Sequence, residues 1–248
     1  MPRKPLPTLS AILLVGLAGL SRPAYAQCAP SSGERSSGEG AERGRGHGWL
    51  WLDAEGGIEG INLQTFHADA DKLTAGFVPS TATGPAAGVG LGVRLLFLTL
   101  GARARVSSFQ DQSPMRTVGS WQLWTLDAEL GFRAMLRRAE PYLSFGFGYA
   151  SLGGLDDAVT GLKRGLDVNG LNLRASAGLD IYLNRHLSVG GLFGGELLAL
   201  SRPGIPVVDL LEAQRVNTIN EAKARILQGD GSSWGWAWTL VVGPGLHF

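Results

Sequence analysis

Cysteine is almost missing from this chain of 248 residues, because Cys28 is the only one. A single cysteine cannot form an internal disulfide, so the fold does not depend on one. A lone cysteine in an exported chain raises the question of lipid attachment. Bacterial lipoprotein signals place a small residue just before the cysteine, whereas Gln27 stands there. We therefore expect Cys28 to be a free thiol in a flexible tail.

Charge is also scarce. Charged residues make up 17% of the chain, compared with about 25% in ordinary soluble domains. The formal net charge is +1, and it falls to −2 once the three positive charges of Arg3, Lys4 and Arg22 are removed with the predicted leader. Proteins that bind nucleic acid need clustered basic residues. We therefore expect no nucleic-acid partner.

Long apolar runs are lacking as well. The stretch from Leu9 to Leu20 is about a dozen residues, shorter than the roughly 20 that a spanning helix needs. It follows a basic start and precedes the small-x-small tripeptide Ala24 to Ala26, which predicts a secretory signal peptide over 1–26. Residues 27–48 contain few apolar side chains and predict a flexible periplasmic tail. Any membrane span in the remaining chain, 49–248, must therefore be made of strands.

What the chain does contain is alternation with a period of two residues. In the last segment, Trp236, Trp238, Leu240 and Val242 alternate with smaller residues. We recognise eight such segments, each roughly the 9–11 residues of a tilted membrane strand. The predicted short connections are Leu96–Phe97, Arg137–Glu140 and Asn184–His186, and the long ones are 62–84, 107–119, 151–170 and 200–233.

The turn at Leu96–Phe97 is the least obvious of these connections, since it contains no Gly, Asn, Asp or Pro. Apolar residues occupy odd positions up to Leu95 and even positions from Leu98 onward. A turn or a bulge must absorb that switch. A bulge would leave seven strands, and single-chain bacterial barrels have even counts, so we predict the turn.

Alternation alone does not reveal whether the polar face lines a lumen or meets water, as it would in a soluble carrier barrel. Beyond the predicted leader, lysine occurs only at Lys72, Lys163 and Lys223, all in predicted loops. The polar strand faces carry Arg, Asp, Glu and Gly instead, which suits confined pairing of arginine with carboxylates. We therefore predict a membrane barrel.

Aromatic residues cluster near the ends of the predicted strands, as they do at the two interfaces of a membrane barrel. The residues expected to form these girdles are Trp49, Trp51, Trp121, Tyr142, Trp234 and Trp236.

Acids and arginines face the predicted lumen in nearly equal numbers. Arg103 and Arg105 lie on a strand next to the one that carries Asp127 and Glu129, so we expect salt bridges that fill a narrow barrel. A polar conduit or gate is the alternative interpretation. The predicted lumen network consists of Asp53, Glu55, Glu59, Arg94, Arg103, Arg105, Asp127, Glu129, Arg133, Arg174, Asp180 and Glu196.

We expect neither a cofactor nor a metal. The histidines are scattered without metal-ligand spacing. The segment Gly88-Val-Gly90-Leu-Gly92 fits strand alternation and leads into no helix, which argues against nucleotide binding. One enzymatic alternative is a Ser/His/acid set that acts on lipid A near the outer rim. Its candidates are His67 with Asp69 or Asp71, and Ser107 or Ser108.

The last long connection has the frame of a helix. Pro206 opens it, Gly229 closes it, and the run from Val207 to Leu227 is rich in Leu, Glu, Ala and Arg. We expect this helix to pack over the mouth of the barrel. The alternative is an outward surface for a ligand or a partner.

The final strand, which ends in Phe248, resembles the insertion signal of outer-membrane barrels. From Trp49 to Phe248 the chain resembles small eight-stranded outer-membrane barrels of the OmpA transmembrane-domain and OmpW kinds. This resemblance implies a Gram-negative outer membrane, short turns in the periplasm, long loops outside, surrounding outer-membrane lipid, and insertion by the barrel-assembly machinery. We expect a structural or surface-interaction role. A narrow porin-like barrel, or a transport barrel for small hydrophobic molecules, is the alternative.

Overall fold

The computed structural model describes residues 49–64, 70–110, 120–134, 136, 138–155, 162, 165–215 and 219–248. The predicted signal peptide and tail lie outside these residues. No helix in the described part of the chain is both long enough and apolar enough to cross a membrane.

Eight strands and three helices are found in the described residues. In chain order they are β1 (Leu50–Asn62), α1 (Ala70–Thr74), β2 (Thr81–Leu95), β3 (Leu98–Phe109), β4 (Trp121–Arg133), β5 (Ala139–Gly153), β6 (Val168–Tyr182), β7 (Leu187–Arg202), α2 (Val207–Arg215), α3 (Glu221–Gln228) and β8 (Gly231–His247).

The strands form one closed barrel. Each strand pairs antiparallel with the next, and β1 pairs with β8 to close the ring. The predicted eight-stranded up-and-down barrel is therefore confirmed. The strands have 12 to 17 residues, more than the alternation predicted. Short connections leave one end of the barrel, which we call the short-turn end. The long connections leave the other, the long-loop end.

The turn between β2 and β3 has two residues, because Leu95 pairs directly with Leu98. Leu96 adopts a φ of 59°, a left-handed conformation that is uncommon for a residue with a side chain. The Nε of Arg94 donates a hydrogen bond of 3.0 Å to the carbonyl oxygen of Leu96, which helps to hold this shape. The parity switch in the sequence is thus a turn, as predicted.

Over most of the barrel height the outer wall is apolar. Phe145 and Leu173 point outward and are about half exposed (54% and 52%), whereas Arg103 points inward and is 2% exposed. An apolar surface that encircles the whole barrel is stable in hydrocarbon and costly in water. The barrel therefore spans a membrane, with its charged face inside.

Toward the long-loop end the polarity of the two faces of the wall is reversed, although inward and outward residues continue to alternate in the same order along each strand. Outward positions become polar and inward positions become apolar, which is the pattern expected where water rather than lipid surrounds the wall. The outward residues at this level include Asn62, Ser108, Gln122, Asn169 and Ser201, and the inward ones include Ile61, Phe109, Leu123, Val168 and Leu200.

The described parts of the long connections, together with α1, α2 and α3, form a cap over this end. Their apolar side chains join the inward residues of the strands in one hydrophobic core. The cap contributes Leu63, Leu73, Phe77, Val78, Leu155, Leu162, Leu166, Leu210, Ala213, Ile219 and Leu227.

The prediction of one helix from Val207 to Leu227 is wrong in one respect, because the described residues of this segment form two helices, 207–215 and 221–228. Asn220 starts the second of them as its N-cap, and its side-chain oxygen accepts a hydrogen bond of 2.9 Å from the Lys223 amide. Asparagine at this position satisfies a backbone donor that the first turn leaves free. The break lets α2 bury Leu210 while α3 buries Leu227.

Candidate functional site

The centre of the charged lumen is Arg103, on β3. Its guanidinium donates to Glu129 Oε2 at 2.8 Å, to Asp53 Oδ2 at 2.9 Å and to Glu55 Oε2 at 2.5 Å. These three carboxylates come from β1 and β4, on either side of the arginine in the lumen. Arg103 thereby joins one wall of the barrel to another.

Gly90 makes room for this arrangement. It pairs with Asp53 on one side and with Arg103 on the other. A Cβ atom at Gly90 would collide with Asp53 Oδ1, which accepts a hydrogen bond of 3.2 Å from Arg103 Nη1 and would have to weaken it to move away. The absent side chain is therefore part of the ion-pair geometry.

Arg105 continues the network toward the long-loop end. Its Nη1 donates to Glu196 Oε1 at 2.6 Å, and its Nε donates to Glu55 Oε1 at 3.0 Å. Glu55 thus bridges the two arginines of β3. Glu59 lies 3.8 Å from Arg105 Nη1 and accepts a hydrogen bond of 2.6 Å from the Ser107 hydroxyl.

The network is looser around Arg174. Its Nε lies 3.5 Å from Glu196 Oε1, and its Nη1 lies 4.0 Å from Asp127 Oδ2. All three side chains are buried. The charges are therefore close enough to attract each other, but they are not joined by the short, directed hydrogen bonds that surround Arg103.

A second cluster lies near the short-turn end. Arg133 pairs with Asp180 at 2.5 Å, and its guanidinium carbon lies 4.5 Å from the ring centre of Tyr142 and 5.8 Å from that of Trp51. Both rings are within the distance at which an aromatic face attracts a cation. Charge and ring faces together hold this arginine in the lumen.

Each of the twelve predicted lumen residues lies within 4.0 Å of an oppositely charged partner. The structure adds Glu140, which pairs with Arg94 at 2.7 Å. We predicted Glu140 as part of a turn, whereas it is the second residue of β5 and points inward. Its even position number matches that of the other inward residues of β5, a signal that sequence reasoning missed.

The prediction of aromatic girdles is wrong for three residues. Trp51, Trp121 and Tyr142 point into the barrel and are buried. Trp121 stacks on Phe109 inside the long-loop end, with ring centres 4.5 Å apart. These residues lie near strand ends, but parity places their side chains inside. Trp49, Trp234 and Trp236 are exposed, as a girdle requires.

The enzymatic alternative loses one of its candidates. Ser107 is buried in the lumen and bound to Glu59, so it does not lie on the outer rim. His67 and Asp69 lie outside the described residues. Within the part of the chain that the structure describes, no group of three or more His, Cys, Asp or Glu residues is arranged to hold a metal ion.

Comparison with known proteins finds no matching family model and no matching curated protein. Among solved structures, Neisserial surface protein A is 10% identical over 80% of this chain and 97% of its own, with a TM-score of 0.49. OprG from Pseudomonas aeruginosa is 12% identical over 82% and 98%, with a TM-score of 0.46. The outer membrane protein AlkL is 11% identical over 91% and 97%, also with a TM-score of 0.46.

These three proteins are small eight-stranded outer-membrane barrels. The eight-stranded fold that the sequence predicts is confirmed by the closed barrel of this chain itself.

Proposed function

We propose that this protein is an outer-membrane barrel that does not conduct solutes and that presents its cap to the outside as a structural or interaction surface. In this proposal the short-turn end faces the periplasm. The chain is exported by a cleaved signal peptide and inserted by the barrel-assembly machinery. The single observation that supports the proposal best is the presence of two different obstacles along the lumen.

The first obstacle is the ion-pair network around Arg103 and Arg105. To pass it, a solute has to separate buried charges that hold each other, and breaking one such pair costs about 3–5 kcal/mol. The second obstacle is the apolar core inside the long-loop end, where Trp121, Leu198 and Leu227 are fully buried. Ions gain no compensating polar contacts there. A polar conduit would need a continuous wet path, which this arrangement does not favour.

The cap supports the interaction part of the proposal. Helix α2 buries Leu210 and Ala213 against the core, yet Val208 and Leu211 on its other side are 74% and 59% exposed. Apolar side chains exposed together on a structured helix are typical of contact surfaces.

Single-channel recording in planar bilayers tests the proposal. We expect no discrete current steps from the wild-type protein, and none from Arg103→Ser, because the apolar core still blocks the lumen. Replacing residues 203–230 by a short Gly-Ser linker in the Arg103→Ser background removes parts of both obstacles and is expected to produce openings.

Arg138→Ser is the matched control, because Arg138 is exposed at the short-turn end. Stable current steps from the wild-type protein would contradict the proposal. Mass spectrometry of lipid A from cells with and without the protein tests the enzymatic alternative, which predicts a change in lipid A mass.

A further inference from the structure

A groove lies on the outer wall of the barrel, at the level where the outward face changes from apolar to polar. It is an open depression of about 540 Å³, a volume within the range of roughly 300–1,000 Å³ that small-molecule sites occupy. It spans three neighbouring strands, β2, β1 and β8. The outward residues that matter for its chemistry are Gly60, Thr81, Thr83, Gln110, Trp236 and Trp238.

Gly60 shapes the floor of the groove. It pairs with Thr83 on one side and with Trp238 on the other, so all three face outward in one row. A Cβ atom at Gly60 would collide with the Nε1, Cε2 and Cζ2 atoms of Trp238. The N–H edge of the indole therefore lies against the bare backbone of Gly60, and the partly buried ring of Trp238 lines the groove.

The groove combines an aromatic platform with neutral polar groups. Thr81 and Thr83 supply hydroxyl groups, and Gln110, which directly follows β3, supplies a side-chain amide. Each of these groups can both donate and accept a hydrogen bond. Among the described residues that line the groove there is no charged side chain, so neither an anion nor a cation is favoured.

This chemistry fits a pyranose sugar. One face of a pyranose ring consists of C–H groups, which pack on an indole, while its hydroxyls need neutral donors and acceptors at the edge. The location fits as well. Ile58 and Leu240, below the groove, belong to the apolar wall, whereas Asn62, which also lines the groove, and Ser232, above it, belong to the polar wall. A sugar at this height lies at the level of the lipid head groups.

We propose that the groove between β2, β1 and β8 binds a neutral sugar ring, stacked on Trp238. The sugar is either the head group of a membrane glycolipid or a free saccharide, since both present the same ring. The site does not depend on the proposed state of the lumen, because it lies on the outer wall.

Fluorine NMR of the full protein labelled with 5-fluorotryptophan tests this proposal. The protein is placed in phosphatidylcholine nanodiscs, and the resonances of Trp236 and Trp238 are assigned from the variants that lack them. One arm adds methyl β-D-glucopyranoside in solution. The other arm includes monoglucosyl diacylglycerol in the nanodisc. We expect a saturable shift of both resonances in at least one arm, and the responding arm identifies the source of the sugar.

Variants show whether the response depends on stacking against Trp238 or on a general change in the barrel wall. In Trp238→Ala and in Gly60→Val, the shift of the Trp236 resonance should need about tenfold more sugar, the order expected for the loss of one aromatic contact. Trp238→Phe should keep most of the response, because it keeps a ring. If Trp238→Ala does not fold, the comparison is made between Trp238→Phe, which keeps the ring, and Gly60→Val, which displaces it.

Trp124→Ala is the matched control. Trp124 is another exposed outward tryptophan, on β4, and its indole N–H donates to Gln122. A Cβ atom at the neighbouring Gly153 would lie 3.5 Å from this ring, at ordinary contact distance, so the ring does not depend on a bare glycine as that of Trp238 does. This variant should respond like the wild-type protein. The proposal is overturned if neither arm shifts the two resonances, or if the Trp236 shift is unchanged in both Trp238→Ala and Gly60→Val.

Discussion

The Nη1 of Arg202 donates a hydrogen bond of 3.1 Å to the carbonyl oxygen of Leu227, so the last residue of β7 holds the last turn of α3. The same guanidinium donates to the carbonyl oxygens of Lys72 and Leu73, in α1. Carbonyl groups at the end of a helix lack partners within the helix. The buried side chain of Arg202 thus connects two parts of the cap, α1 and α3, to the long-loop end of the barrel.

Replacing this residue should loosen the cap and leave the barrel intact. Arg202→Met leaves several buried carbonyl groups without a donor, each costing about 1–3 kcal/mol. We expect faster cleavage of the long connections by chymotrypsin, while the folded barrel still migrates differently from the boiled protein on a gel. Arg225→Met is the control, because Arg225 is largely exposed and its pair with Glu221 contributes little. Equal cleavage rates for the two variants would contradict this role.

Arg103→Met should destabilise the barrel much more than removal of an exposed arginine does. It leaves Asp53, Glu55 and Glu129 close together without their shared cation, and leaving a buried charge without its partner costs about 3–5 kcal/mol. The free energy of unfolding, measured by urea titration in lipid vesicles, should fall by that order. Arg138→Met should leave it nearly unchanged. A loss below about 1 kcal/mol for Arg103→Met would mean that water already compensates these carboxylates.

Two glycines of the barrel should respond differently to the same substitution by alanine. A Cβ atom at Gly90 would collide with Asp53, whereas one at Gly56 meets nothing within 4 Å. We expect Gly90→Ala to lower the free energy of unfolding by about 1–3 kcal/mol through overpacking. Gly56→Ala should be neutral or slightly stabilising, because it restricts the unfolded chain. The same urea titration compares them, and equal effects would show that the lumen near Asp53 is loosely packed.

The ring of Tyr142 should matter more than its hydroxyl. The Arg133 guanidinium lies over this ring, and a desolvated cation–π contact contributes about 2 kcal/mol. We therefore expect Tyr142→Leu to lower the free energy of unfolding by about that amount, while Tyr142→Phe changes it by less than half as much. If the two variants lose the same amount, the hydroxyl rather than the ring is the stabilising group.

The amino-acid sequence by itself determined the number of strands, the alternation of their two faces and the turn at Leu96–Phe97. Side chains alternate across a strand because of backbone geometry alone, so parity can be recognised without knowing the fold. Parity also indicated which charged residues point inward. The same rule, applied to residue numbers near strand ends, would have placed Trp51, Trp121 and Glu140 inside.

Only the tertiary structure decided which charges meet. Arg105 and Glu196 lie on β3 and β7, which do not pair with each other, and they come together because the closed barrel brings opposite walls within reach of long side chains. The exchange of polar and apolar faces near the long-loop end also depended on the fold. A period of two residues records which side a residue faces, but it does not record whether lipid or water lies beyond that side.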